Sequence, residues 1–421
     1  MMTLPQESAS GTADLFGTPL PPPPGWGHRS IADLLPSAAA CLRAVAADPQ
    51  TARTLDLTDR LDLTDRLDLS ARLERSGGNP GPYRHVCVVL VDGLGRHQLD
   101  ARLGYAPTLG RAADLGTLDA ALPSTTAASL AALGTGAPPG TTGMVGYDVL
   151  DPSRGVVVNQ LGSWDPAVDP RTWQPHPTVF ERLAEMGPRP VTISRDKYAN
   201  SPLTEAALRG ACFIGTGNPL ARISRAADAL DTEHPTFMYL YWPELDQAGH
   251  RHGWDSPQWE QALEELDSGM RRLRSRVGEE TLILLSADHG MVDVPAQDRL
   301  DYSAHAELVQ GVAATAGEPR LVQLHLKAPR DQTLRQDLAA AWHEHFGQRI
   351  WILDREHLIR GGYFGSAMRT GVRERIGDLL IAARESLALW DLRRVRRQAM
   401  DMVGQHGSWT SAEREIPLLA L

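Results

Sequence analysis

The chain has 421 residues, 42% of them hydrophobic and 22% charged, which is ordinary for a globular protein and long enough for one large domain with an inserted cap. A net charge of −10 argues against a nucleic-acid polymer as partner, yet it leaves room for a small anionic substrate held by metal ions. Three widely spaced cysteines, Cys41, Cys87 and Cys212, argue against a disulfide framework or a Cys-based zinc cluster.

Taken in chain order, residues 1–27 are polar and then proline-rich, with prolines at 21–24, and predict a disordered or extended, solvated arm. No basic stretch followed by an apolar core marks a signal peptide, and no apolar run reaches the length of a membrane span, so a cytoplasmic protein without a membrane partner is expected. An Ala/Leu-rich stretch over 31–47 predicts a helix. Residues 55–69 repeat the unit LDLTDR, too short and too few for a solenoid, and read as a solvated surface excursion. SGGNPG at 76–81 is a loop.

The main body starts there. Four apolar, β-rich runs begin at His85, Pro190, Thr236 and Thr281, with helical patterns at 177–186 and 258–274 between them. Alternating strands and helices predict an α/β three-layer sandwich with a mostly parallel central sheet. EIPLLAL, from Glu415, predicts a last short strand. The segment 296–400 is mixed and ends in RRVRRQ, which reads as a solvated helix face; the segment is expected to form a small cap inserted into a catalytic domain spanning 28–421.

In open parallel sheets ligands bind at the C-terminal strand ends. That rule selects Asp92, Asp246 and the Asp288-His289 pair, each following an apolar run. A single Asp in such a place caps a helix or makes a turn as readily as it binds anything. Their joint occurrence points to metal chemistry. Asp246 and His250 are four apart and share one helix face; His252 is a weaker substitute for His250. At a strand end Asp288 and His289 can converge on one ion or straddle two, with Gly290 allowing a sharp turn. His406, in GQHGSW, precedes the last strand. Thr126 stands just before the helical run 127–133, where a Thr ordinarily caps the helix. The same position is an anion site, and a hydroxyl there beside a metal becomes a nucleophile.

In this order the motifs resemble the alkaline phosphatase superfamily, and within it the nucleotide pyrophosphatase/phosphodiesterase branch. The resemblance covers residues 85 to 421. It rests on a strand ending in Asp92, Thr126 ten residues before the Gly of Thr135-Gly136, Asp246-x-x-x-His250, Asp288-His289-Gly290-Met291, and His406-Gly407. The resemblance implies two Zn²⁺ ions or other divalent metals. One would be held by Asp92, Asp288 and His289 with Thr126, the other by Asp246, His250 and His406. It implies attack by Thr126 on a phosphodiester or pyrophosphate, through a phospho-threonine, with a small phosphate ester, such as a nucleotide, as substrate.

Tyr241 matches a stacking aromatic of that branch, whereas Ala127 stands where an aromatic commonly follows the nucleophile. Tyr147 replaces an Asn that contacts a phosphate oxygen there. Tyr147 and Tyr241 are therefore the candidate substrate contacts. Arg195 and Lys197 are the nearest basic residues, and they read more readily as surface charge. The alternatives are a phosphomonoesterase on the same scaffold and a non-catalytic metal-stabilised binding protein; Thr125, one residue off the spacing, is the alternative nucleophile to Thr126. A sulfatase is not expected, because none of the cysteines lies in Cys-x-Pro-x-Arg.

Overall fold

The computed structural model describes residues 2–3, 13–46, 62–162 and 164–421. The strands that matter for the site are β1 (His85–Val91), β2 (Ala113–Asp119), β3 (Asp148–Asp151), β4 (Val156–Asn159), β5 (Arg189–Ser194) and β6 (Cys212–Gly215). They continue as β7 (Thr236–Trp242), β8 (Thr281–Ala287), β9 (Val312–Glu318), β10 (Leu321–Leu326), β11 (Ile350–Asp354), β12 (Leu379–Ala383) and β13 (Glu415–Ala420). Seven of them form a central sheet in the order β2-β13-β8-β1-β7-β5-β6. The run from β8 to β6 is parallel, while β13 lies antiparallel between β8 and β2. The four apolar runs of the sequence are thus β1, β5, β7 and β8, and EIPLLAL is β13. Strands β1, β7 and β8 are buried along their whole length, which explains why they read as unbroken apolar runs. β2 and β6 went unpredicted because both are short of buried side chains and carry a mixed pattern.

A second sheet has the order β11-β12-β10-β9-β3-β4. Its pairs are all antiparallel. Its own core forms around Trp342, Leu338 and Phe346 of the helix Gln332–Phe346. The segment 296–400 therefore builds most of this sheet, but residues 148–159 complete it, which the expected cap did not include.

Three local readings need correction. The prolines at 21–24 are extended but not free in solvent. Trp351 Nε1 donates to Pro19 O at 3.0 Å, Tyr363 Oη to Pro21 O at 2.6 Å and Trp409 Nε1 to Pro22 O at 2.9 Å. An extended proline run makes no internal hydrogen bonds, so its carbonyls are free to accept from the polar tips of buried aromatics. The repeat is not a solvated excursion in its described part: Leu63, Leu67 and Leu69 are each at most 2% exposed and join the main core, while 55–61 fall outside the described residues. The RRVRRQ stretch is a turn followed by a 3₁₀ segment, not a helix face. Arg393 pairs with Asp391 at 2.6 Å and Arg394 with Asp148 at 2.8 Å.

Candidate active site

Register builds the site. Val91 of β1 is level with Trp242 of β7 and Ala287 of β8. The next residues, Asp92 and Asp288, therefore leave the sheet side by side, and Pro243 begins the helix Glu244–His252. Asp246 and His250 lie one turn apart on that helix. β1 lies between β7 and β8, so the residues gather at the crevice where the connections on either side of it diverge. Gly290 is small for a further reason. A Cβ there would lie 2.0 Å from Ala412 O, so its small size serves a close backbone approach.

Two groups result. In one, His289 Nε2 is 3.3 Å from Asp92 Oδ1, 3.6 Å from Asp288 Oδ2 and 3.2 Å from Thr126 Oγ1. In the other, His250 Nε2 is 3.3 Å from Asp246 Oδ1, and His406 completes the set. In each group the donor atoms of the three acid and histidine residues lie within 4.8 Å of one another. The His289 and His406 rings stack with centroids 3.6 Å apart, which joins the two groups. His252 is exposed at the helix end and takes no part.

Hydrogen bonds fix which ring nitrogen faces the centre. Nδ1 of His250, His289 and His406 faces a backbone carbonyl, of Gly404, Gly290 and Ser124, at 2.7, 3.0 and 2.9 Å. A carbonyl only accepts, so each Nδ1 carries the proton and each neutral Nε2 presents a lone pair. Nε2 of His250 and of His289 faces carboxylate oxygens. Asp92 Oδ1, Asp246 Oδ1 and Asp288 Oδ2 are buried without a hydrogen-bond partner. Such a set is satisfied either by protons held between imidazole and carboxylate or by a metal cation in their place. The protonation energetics agree. Burial and the neighbouring Asp92 charge hold the Asp288 carboxyl well above its usual range. Burial pushes Asp246 up to about 6. Burial opposes charge on His289, yet the Asp288 and Asp92 carboxylates pull it up to about 10. Without metal the cluster takes up protons in place of a cation. Carboxylate and imidazole donors in sets of three suit Zn²⁺, and the residues fit the metals that the resemblance implies.

Thr126 is not the helix cap. Thr125 holds the N-cap position, with extended backbone, and Thr126 is the first residue of the helix Thr126–Thr135. This directs the Thr126 hydroxyl to His289 and leaves free N–H groups of the first turn beside it. Tyr241 is buried with its hydroxyl donating to Asp92 Oδ2, which orients that carboxylate. Arg195 pairs with Glu244 at 3.1 Å, whereas Lys197 reaches over the Tyr198 ring and lines the cavity.

A cavity of about 560 Å³ opens over both groups. Asp92, Thr126, Asp246, His250 and His406 line it, with Asp288 and His289 buried behind them; its other walls include Tyr198, Tyr241 and Phe213, and Tyr147, Tyr302, Glu318, Trp390 and Arg394 from or beside the second sheet. Glu318 was missed by sequence reasoning, and nothing in GEPR distinguishes it from an ordinary turn residue. Only the packing of the hairpin β9–β10 against the His406 loop brings it in.

A carboxylate- and histidine-lined crevice at the rim of a parallel sheet, with a hydroxyl at a helix start, defines a phosphoric ester hydrolase of alkaline-phosphatase-like fold. The chain belongs to the type I phosphodiesterase / nucleotide pyrophosphatase family, whose model matches residues 86–409. Among solved structures it is similar to murine ectonucleotide pyrophosphatase / phosphodiesterase 5, with a TM-score of 0.61 and 15% identity over 79% of this chain and 87% of that one. It is also similar to phosphonoacetate hydrolase from Sinorhizobium meliloti 1021, with a TM-score of 0.60 and 19% identity over 80% of this chain and 90% of that one. At these identities the likeness speaks for the fold. Over shorter stretches it is 33% identical to a phosphopentomutase of Anaeromyxobacter dehalogenans across 119 residues and 32% identical to one of Shewanella frigidimarina across 125. The matches span only 28% and 27% of those proteins' lengths, and 28% of this chain in each case.

Proposed function

We propose that this hydrolase cleaves phosphodiester or pyrophosphate bonds of a small molecule by attack of Thr126 on phosphorus. The observation that carries the reading is the place of the Thr126 hydroxyl, at the start of a helix, 3.2 Å from His289 Nε2 and on the wall of the cavity that both donor groups share. Oγ1 gives up its proton as it forms a bond to phosphorus, the bond to the leaving oxygen breaks, and the departing alcohol or phosphate takes up a proton in exchange. Water then attacks the phospho-threonine, the P–Oγ1 bond breaks, and the phosphoryl product leaves with the threonine restored.

Asp92, Asp288, His289 and Thr126 would hold one zinc and Asp246, His250 and His406 the other, and such a pair supplies Lewis acidity for both the entering and the leaving oxygen. The protein's own contribution is placement. The helix start offers N–H groups to phosphoryl oxygens, Tyr241 fixes Asp92, and three backbone carbonyls fix the three imidazoles. An inactive variant of the murine relative was solved with AMP, which supports a small phosphate ester as ligand. The test is the rate on bis-p-nitrophenyl phosphate against p-nitrophenyl phosphate with zinc present. A clear preference for the diester is expected; preference for the monoester by orders of magnitude would replace this reading with a phosphomonoesterase.

A further inference from the structure

Glu318 ends β9, beside the Pro319-Arg320 turn of the hairpin, and its side chain enters the cavity from the second sheet. It is 7% exposed. Oε2 accepts from the backbone N–H of Tyr147 at 2.9 Å, and Oε1 is buried with no hydrogen-bond partner. Other buried acids of the chain are satisfied differently. Glu413 takes both its oxygens to Arg320 at 2.8 Å, Asp391 is held by Arg393, and Asp378 by Arg355 at 2.9 Å. Arg320, two residues from Glu318, is thus committed elsewhere. Arg394, the guanidinium on the same side of the cavity, is paired with Asp148.

The molecule makes room for this carboxyl. Gly407, with φ +128°, comes so close that a Cβ on it would lie 2.3 Å from Glu318 Cγ. Gly407 is also the residue after His406, and it exchanges hydrogen bonds of 3.2 Å with Ser124. Glu318 therefore sits against the segment that presents a candidate ligand, and that segment is itself bonded to Ser124, two residues before Thr126. A buried acceptor left without a donor is costly, and a group kept in that state beside a reaction centre is expected to meet its donor in the bound complex.

The chemistry of the missing donor can be narrowed. Burial, and the Asp148 charge beside it, hold the Glu318 carboxyl well above its usual range; an ionised phosphoryl oxygen only accepts and so pairs with the protonated acid alone, whereas a hydroxyl on the organic part of the ester pairs with Oε1 in either form. It already holds one N–H and needs a single further donor, which one hydroxyl supplies without bringing a second charge into the cavity. We infer that Glu318 is a specificity-determining subsite that accepts a hydrogen bond from a hydroxyl on the substrate's ester group, selecting a sugar- or glycerol-type phosphodiester over one with a plain aryl or alkyl group. The inference rests on the diesterase reading given above.

The test uses three diesters with the same p-nitrophenolate leaving group, in which the second ester is p-nitrophenyl, thymidine or glycerol. Wild type is expected to favour the two hydroxyl-bearing diesters in kcat/KM by about tenfold or more, because a site built around a hydrogen bond discriminates strongly against a partner lacking it. Glu318→Ala should erase that preference. Glu318→Gln, which keeps the shape and an accepting oxygen, should retain part of it, and it serves if the alanine variant fails to fold. Absence of the preference in wild type, or an equal loss on all three diesters in the variants, would overturn the subsite; a water bridging Oε1 would give the first of these results. The two readings fail separately. If wild type cleaves the bis-p-nitrophenyl ester and Thr126→Ala does not, the diesterase reading stands and only the ratio judges Glu318. If wild type cleaves none of the diesters, both fall.

Discussion

The two sheets meet the same cavity with different resources. The central sheet brings its groups there by register: parallel strands end level with one another, so residues just past β1, β7 and β8 converge without long loops to guide them. The second sheet is antiparallel, and its contribution comes from single side chains, Glu318 and Arg394 among them, placed by hairpin packing and turns. One sheet supplies a dense cluster of donors whose geometry follows from secondary structure. The other supplies a scattered wall whose geometry follows from tertiary contacts. The division suits an enzyme in which bond cleavage belongs to the first sheet and choice of ester to the second, because one wall can change while the donors stay fixed.

The sharpest way to break that division is Thr126→Ala. The variant should lose about a thousandfold or more in kcat on bis-p-nitrophenyl phosphate, since no other hydroxyl faces His289 Nε2 in the described structure. Each donor group keeps three acid or histidine residues, so zinc content measured by mass spectrometry should stay near wild type. A rate within about tenfold of wild type, with metal retained, would sink the role of Thr126 and direct attention to Thr125.

A smaller effect tests whether the two regions are mechanically joined. Arg320 and Glu413 form a fully buried pair, and Glu413 also accepts from Ser408 N at 3.0 Å, two residues after His406. Arg320→Met leaves that carboxylate buried and unpaired and strips donors from the Glu385 and Leu387 carbonyls. Loss of one partner of a buried pair costs roughly 3–5 kcal/mol, which urea denaturation would read. Zinc occupancy should fall at the group containing His406 before the other. Unchanged stability would show that the hairpin and the ligand loop are independent.

How much of this was legible follows the same division. Strands β1, β5, β7 and β8 were readable because burial on both faces forces long apolar runs, and their terminal acids stood out as the first polar residues after them. Asp246 and His250 were readable because helix periodicity fixes their relation. Glu318, the Asp148–Arg394 pair and the docking of the proline run were not. Each depends on contacts between residues more than 100 apart in sequence, and no local period encodes them. The repeat misled for a related reason: its polar positions suggested solvent, while the leucines alone decided where it packs.

The mildest prediction concerns protons and metal. In the stripped protein Asp246 and Asp288 are held above the usual carboxylate range, chiefly by burial. A folded value above the unfolded one means that Asp246 stabilises the stripped protein in acid and loses that contribution as pH rises through about 6. His406 is held well below its usual value, chiefly by burial, so it contributes with the opposite sign and disfavours the fold as pH falls below the unfolded histidine value. The two partly cancel in the stripped protein alone. They do not cancel in the comparison with metal: zinc needs Asp246 and Asp288 ionised and His289 neutral, so it must displace their protons, whereas His406 is already neutral. The gain in Tm on adding zinc to chelator-treated protein should therefore be several degrees larger near pH ~8 than near pH ~5.5. A gain independent of pH would mean that these carboxylates do not surrender protons to the metal, and the lone-pair argument for the donor groups would fail with it.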